Sequence, residues 1–212
     1  MPKTRILAAA LVAALLFAAG CRQATTAKKK VPPKTSTETT TQPKPEKSKV
    51  PGYRTFADPD AMFTVLFPEK WFANGSSSLA VEASPLRSNT TLRNERNTAV
   101  ASVELRAGRV REEKDNAILV RETVKGMLEG NPAGNSGPLH YVKMGGGQGA
   151  WMAVEMASKQ GTVVKTFVAI GGTGERRVIM LGSSPSEEWN KNLPVFLKIA
   201  ESFKFVKKDA RA

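Results

Sequence analysis

The chain has 212 residues, with 32 Lys and Arg against 19 Asp and Glu, one His and one Cys, and a formal charge of +13. A single Cys excludes an intrachain disulfide scaffold, and one His with one Cys excludes a zinc site built from those ligands alone. The length suits one domain of roughly 150 residues with appendages rather than two full domains.

Lys3 and Arg5 precede an apolar run from Ile6 to Ala19, followed by Gly20 and Cys21. The run is shorter than the roughly 20 residues a helix needs to cross a bilayer, and it suits the apolar region of an export signal over residues 1–20. Ala18, Ala19 and Gly20 are small, and the next residue is the only cysteine. This stretch resembles the lipobox of bacterial lipoproteins, although Leu is commoner where Ala18 stands. The resemblance implies cleavage between Gly20 and Cys21, a diacylglycerol on the Cys21 thiol and acylation of the freed amino group. Each buried methylene contributes about 0.8 kcal/mol, so two or three chains anchor stably where one holds marginally. By the Gram-negative lipoprotein sorting rule, Arg22 in place of an Asp implies the outer membrane in a host that has one. The alternative is an ordinary secretory signal with Cys21 as a stray thiol.

Residues 22–50 hold no aromatic, Leu, Ile or Met, and contain Pro32, Pro33, Pro43 and Pro45 among Ser, Thr and Lys. Such a segment buries too little apolar surface to offset the entropy of ordering it, so it reads as a disordered tether from Cys21 to residue 50. It carries a net +6 and the signal +2, leaving +5 for residues 51–212. Most of the excess charge therefore lies outside the globular part. Lys28, Lys29 and Lys30 read either as a contact for anionic lipid headgroups or as a solvated spacer.

From Tyr53 onward apolar stretches alternate with turn signals. Phe63, Val65 and Phe67 alternate with Thr64 and Leu66, predicting a strand that Pro68 stops before a bend at Trp71. Further strands are expected over Leu79–Ala83 and Thr98–Arg106, the second with Ala101, Val103 and Leu105 on one face. Between Glu112 and Gly130 the period changes to that of a helix, with Ala117, Val120, Val124, Met127 and Leu128 on one side. Strands are then expected over Leu139–Met144, Ala150–Ala157, Thr162–Ile170 and Arg176–Leu181. The short turns between them, including the glycine cluster Gly145–Gly149, force antiparallel neighbours. Ser186 is placed to cap a last helix with an apolar stripe of Trp189, Leu193, Phe196, Leu197, Ala200 and Phe203. Pro194 inside that stripe predicts a kink or two short helices. The fold class expected is α+β, an antiparallel β-sheet with helices on its faces, over residues 51–207, with 208–212 as a tail.

Phe63–Trp71, reading F-T-V-L-F-P-E-K-W, and Phe196–Phe205, reading F-L-K-I-A-E-S-F-K-F, resemble the entry and exit of the Mog1/PsbP-like superfamily. The resemblance covers roughly residues 53–206 and implies an α/β/α sandwich. Its members include photosystem II PsbP proteins, the Ran-binding protein Mog1 and bacterial lipoproteins of the DcrB and LpqN types. It implies action by binding partners, with no shared catalytic site, and nothing in the sequence matches a photosystem-specific motif.

His140 is the only histidine, so any Ser/His/Asp or Cys/His arrangement would need it; mid-strand beside Tyr141, it reads as structural or surface. Gly145–Gly149 lacks the G-x-x-x-x-G-K-[ST] pattern of a phosphate loop and reads as a hairpin turn. Asp58 and Asp60 fall short of a calcium loop and read as turn residues. No metal, cofactor or catalytic residue is expected. Arg87, Arg93, Arg96, Arg106, Arg109 and Arg111 face only Glu95 and Glu104 between them, a candidate patch for an anionic partner. The alternative is a solvated surface balanced by Glu112, Glu113 and Asp115. The export signal disfavours nucleic acid. The function expected is that of a non-enzymatic, membrane-anchored lipoprotein that binds or helps assemble an envelope protein. An extracytoplasmic hydrolase and a lipid or small-ligand carrier are the alternatives.

Overall fold

The structure, a computed structural model, describes residues 48–58, 62–77, 80–84, 101–109, 114–157 and 161–206. The signal, Cys21 and the tether up to residue 47 lie outside these, as do Asp60, Arg87, Arg93, Arg96 and Arg111. Where one sheet is expected, two form. The smaller has the order β1 (Tyr53–Ala57), β2 (Phe63–Pro68), β11 (Lys204–Phe205). The larger runs β3 (Phe72–Ser77), β4 (Ala80–Ser84), β5 (Ser102–Arg109), β10 (Arg176–Pro185), β9 (Val163–Gly171), β8 (Gly147–Ala157), with β6 (Asn135–Ser136) and β7 (His140–Met144) both paired to β8. Among the described residues every pairing is antiparallel.

The periodicities explain which face meets what. Phe63, Val65 and Phe67 are buried and Thr64 and Leu66 half-buried, as strand alternation requires. Strand β9 is apolar on both faces because both are covered. Phe167 and Ala169 point into the core beneath the smaller sheet and the last helix, while Val168 and Ile170 point at α1 (Asn116–Glu129). The two helices thus lie on opposite faces of the larger sheet. The fold is the α+β arrangement the pattern implies, with the smaller sheet as an addition.

The helical period over Glu112–Gly130 becomes α1, capped by Asp115, whose Oδ1 accepts from Ala117 N at 2.7 Å and Ile118 N at 3.3 Å. Its buried residues Ala117, Val120, Val124 and Met127 are the expected stripe, with Leu128 half-buried beside them. The last helix resolves one expectation and departs from two others. Of the two arrangements expected at Pro194, two short helices do not form: helix α2 (Trp189–Ser202) runs through it undivided, and a 3-10 turn over Ser186–Glu188 leads into it. Trp189, Phe196, Ile199 and Ala200 fix it to the sheet, and that burial outweighs the one backbone hydrogen bond that Pro194 removes. Ser186 caps nothing; its hydroxyl donates to Glu155 Oε2 at 3.1 Å. Finally, Ile199 is fully buried, whereas Leu193 and Leu197 only flank the core.

Strand β2 stops at Pro68 and the chain bends at Trp71, whose N–H donates to Pro68 O at 2.9 Å, as the pattern predicts; β3 then starts at Phe72. The glycine cluster is a shorter turn than expected. Gly145 and Gly146 have φ of 66° and 87°, the two left-handed positions of a primed hairpin turn, and Gly147 already belongs to β8.

Candidate functional site

Strand β7 sits at one end of the larger sheet, and among the described residues only one of its sides is paired. Met144 lies opposite Gly147 across the two-residue turn, so its backbone groups face β8; by alternation Val142 and His140 face β8 too. Tyr141 and Lys143 therefore turn their N–H and C=O groups away from the sheet. Among the described residues no backbone group meets them. The edge is short, since Pro138 lies just before it and has no N–H to offer.

Beside this edge is a groove of about 840 Å³. Tyr141, Val142 and Lys143 form one wall, the Gly145–Gly147 turn the end, and Glu201 with Phe203–Phe205 the other wall. Its volume falls within the roughly 300–1,000 Å³ of ligand clefts. The far wall is rigid: Phe203 stacks on Phe63 at 5.1 Å, and Phe205 meets Phe203 edge-on at 5.0 Å. Arg176 lies over the Phe205 ring at 5.6 Å and donates to Val206 O at 3.0 Å, while Gly145 N donates to Phe203 O at 3.2 Å. Tyr141 is 62% exposed, and Lys143 and Lys204 carry positive charge against Glu201. The groove thus joins an aromatic wall, two ammonium groups and four outward main-chain groups.

The other candidates resolve differently. His140 stacks on Trp151 and serves packing, as expected. Asp58 Oδ2 accepts from Met62 N at 3.1 Å, a turn role. Of the arginine patch, the described members are Arg106 and Arg109, three residues apart in β5, and a strand places such residues on opposite faces. Arg106 is engaged by Glu104, so the structure does not bring these two into one patch. Among the described residues no group of three His, Cys, Asp or Glu is placed to hold a metal.

Two features behind the groove escape sequence reading. Arg177 is buried, and its guanidinium donates to the carbonyls of Gly174, of Arg176 at 3.0 Å and of Lys114 at 3.2 Å. Asn116 Nδ2 donates to Gln148 O at 2.8 Å and Gly172 O at 3.2 Å. Together they tie the start of α1 to the hairpin tips. At the opposite end of the sheet, the hydrogen bond from Lys165, at 3.0 Å, holds the Glu155 carboxyl below its ordinary range against the opposing effect of partial burial, with Ser186 and Asn135 assisting.

No family model matches the sequence, and no curated protein matches it. Solved structures do. The Ran-binding protein Mog1p of Saccharomyces cerevisiae is 12% identical over 73% of this chain and 96% of its own, with a TM-score of 0.53. The fold is Mog1-like. Cyanobacterial PsbP from Synechocystis sp. PCC 6803 is 12% identical over 73% of this chain and 92% of its own, with a TM-score of 0.47. LpqN of Mycobacterium tuberculosis, described as involved in cell envelope biogenesis, is 11% identical over 77% and 90%, with a TM-score of 0.49. The chain spans about half, 49%, of the length of a Bacteroides thetaiotaomicron protein that it also matches. The Mog1-like fold therefore agrees with the resemblance carried by Phe63–Trp71 and Phe196–Phe205.

Proposed function

We propose that the protein is a non-enzymatic binding module, exported and held at the cell envelope by lipid on Cys21, that engages an envelope protein through the groove beside β7. The observation that carries the reading is the pairing of an unpartnered strand edge with an aromatic-walled groove in one place. A surface with outward main-chain groups and a fixed apolar wall suits recognition of another polypeptide. The Mog1-like fold is consistent with it, since Mog1p is itself a protein that binds a protein. The sequence Ala18-Ala19-Gly20-Cys21 supports the anchor, and Arg22 supports the outer membrane as its address in a host with two membranes.

The test is a photocrosslinking residue at position 141 in cells, with one at the exposed Glu122 of α1 as control. An envelope protein joined from 141 and absent from 122 supports the reading. The absence of any adduct from 141 removes the groove as contact surface. For the anchor, Cys21→Ala should leave an uncleaved or soluble protein; if it is processed and still fractionates with membranes, the lipid attachment is wrong.

A further inference from the structure

The groove's geometry specifies more than that a protein binds there. Resting on the binding role proposed for the groove, we infer that the occupant is an extended peptide segment that adds to β7 as an antiparallel strand, with an acidic residue, an apolar residue and an aromatic or β-branched residue in that order.

The order follows from register. Antiparallel addition gives two outward N–H and two outward C=O groups, at Tyr141 and Lys143, full partners in an incoming chain. Residues directly opposite each other share a face of the sheet. An incoming residue opposite Lys143 stands beside its ammonium, and a carboxylate there is favoured. The next residue lies opposite Val142, which faces the core side with Met144 and so turns toward the wall of Phe203 and Phe205. An apolar side chain fits that position. The third lies opposite Tyr141, whose ring is 62% exposed and favours an aromatic or β-branched neighbour. Lys204 adds a second positive charge across the groove, with Glu201 the one opposing it among the lining residues.

Charge also decides between a peptide and a second copy of the chain. Pairing β7 with its own copy would bring two copies of Lys143 and Lys204 together, and lysine on an edge strand is a common guard against such self-association. An acidic segment meets the same lysines favourably.

The probe is acetyl-Ser-Glu-Val-Tyr-Thr-amide with the full lipidated chain in detergent micelles, read by residue-resolved amide hydrogen exchange. Binding should slow exchange at Tyr141 and Lys143. The same peptide N-methylated at Glu and Tyr should bind about tenfold more weakly or worse, because it cannot donate to the edge. With Lys143→Glu, an exposed change that leaves the core intact, the preference should pass to acetyl-Ser-Lys-Val-Tyr-Thr-amide. Protection at neither amide, or equal binding of the methylated peptide, overturns strand addition. So does protection that grows with protein concentration alone, which would mean that a second copy takes the edge. If the peptides fail while residue 141 still crosslinks to an envelope protein, strand pairing falls and the binding function stands.

Discussion

His140 lies flat against the indole of Trp151, with ring centroids 4.3 Å apart and planes 18° from parallel. The two residues are direct cross-strand partners, and Trp151 meets Phe167 at 5.0 Å in the core. The stack therefore fastens the outermost strand to the interior. His140→Ala should destabilise the fold by about 1 kcal/mol, the size of an aromatic pair, and His140→Phe should restore most of it. Urea midpoints measure both, and an Ala variant as stable as the parent would mean that the stack contributes nothing.

Gly172 and Gly161 both have positive φ, 116° and 80°, yet their surroundings differ. A methyl group on Gly172 would stand 2.2 Å from Arg176 O, whereas one on Gly161 would meet nothing within 4 Å. Gly161→Ala should cost about 1 kcal/mol, the backbone preference alone. Gly172→Ala should cost about 3 kcal/mol or more, since backbone strain and overpacking coincide. Thermal unfolding of the two variants checks the order, and equal losses would refute the clash.

Arg177 donates to three carbonyls that come from both sides of the junction between α1 and the β9–β10 turn. Lysine has no fork with which to reach them together. Arg177→Lys should cost about 2 kcal/mol and increase amide exchange in the first turns of α1 more than elsewhere. Uniform loosening across the domain would show that Arg177 supports the core in general rather than that junction.

Glu155 supplies a pH dependence with a defined sign. Lys165 and Ser186 hold its carboxyl below the ordinary 4.5 of a glutamate. A folded value below the unfolded one contributes stability that is fully present above about 4.5 and is lost as pH falls through the folded value. Above about pH 5 the parent should melt at a higher temperature than Glu155→Gln, and the two curves should converge on further acidification. A gap that is constant or widens toward acid would contradict the assignment.

How much of the molecule was legible in the sequence depends on whether the signal is local. The alternation of Phe63, Val65 and Phe67, the stripe of Ala117, Val120, Val124 and Met127, and the turn at Gly145 and Gly146 follow from neighbours in sequence, and the fold preserves them. Ile199 displaced Leu193 and Leu197 from the centre of the core because the face α2 presents depends on the sheet beneath it. The groove was not legible. A strand over 139–144 is evident in the residues, but whether its second edge is paired depends on every other strand. The opposing wall, Phe203–Phe205, comes from the far end of the chain.

That distance matters while the protein is being made. Strand β11 contributes only Lys204 and Phe205, yet it closes the smaller sheet against Thr64 and Phe63 and raises the groove's far wall. Its partner strand is delivered early and must wait, since long-range pairing bears its loop-closure entropy before any contact rewards it. A nascent chain that already holds β7 lacks the opposing aromatic wall, so the groove is complete only after residue 205 has emerged. Assembly of the groove is thereby timed to the emergence of β11 rather than of β7.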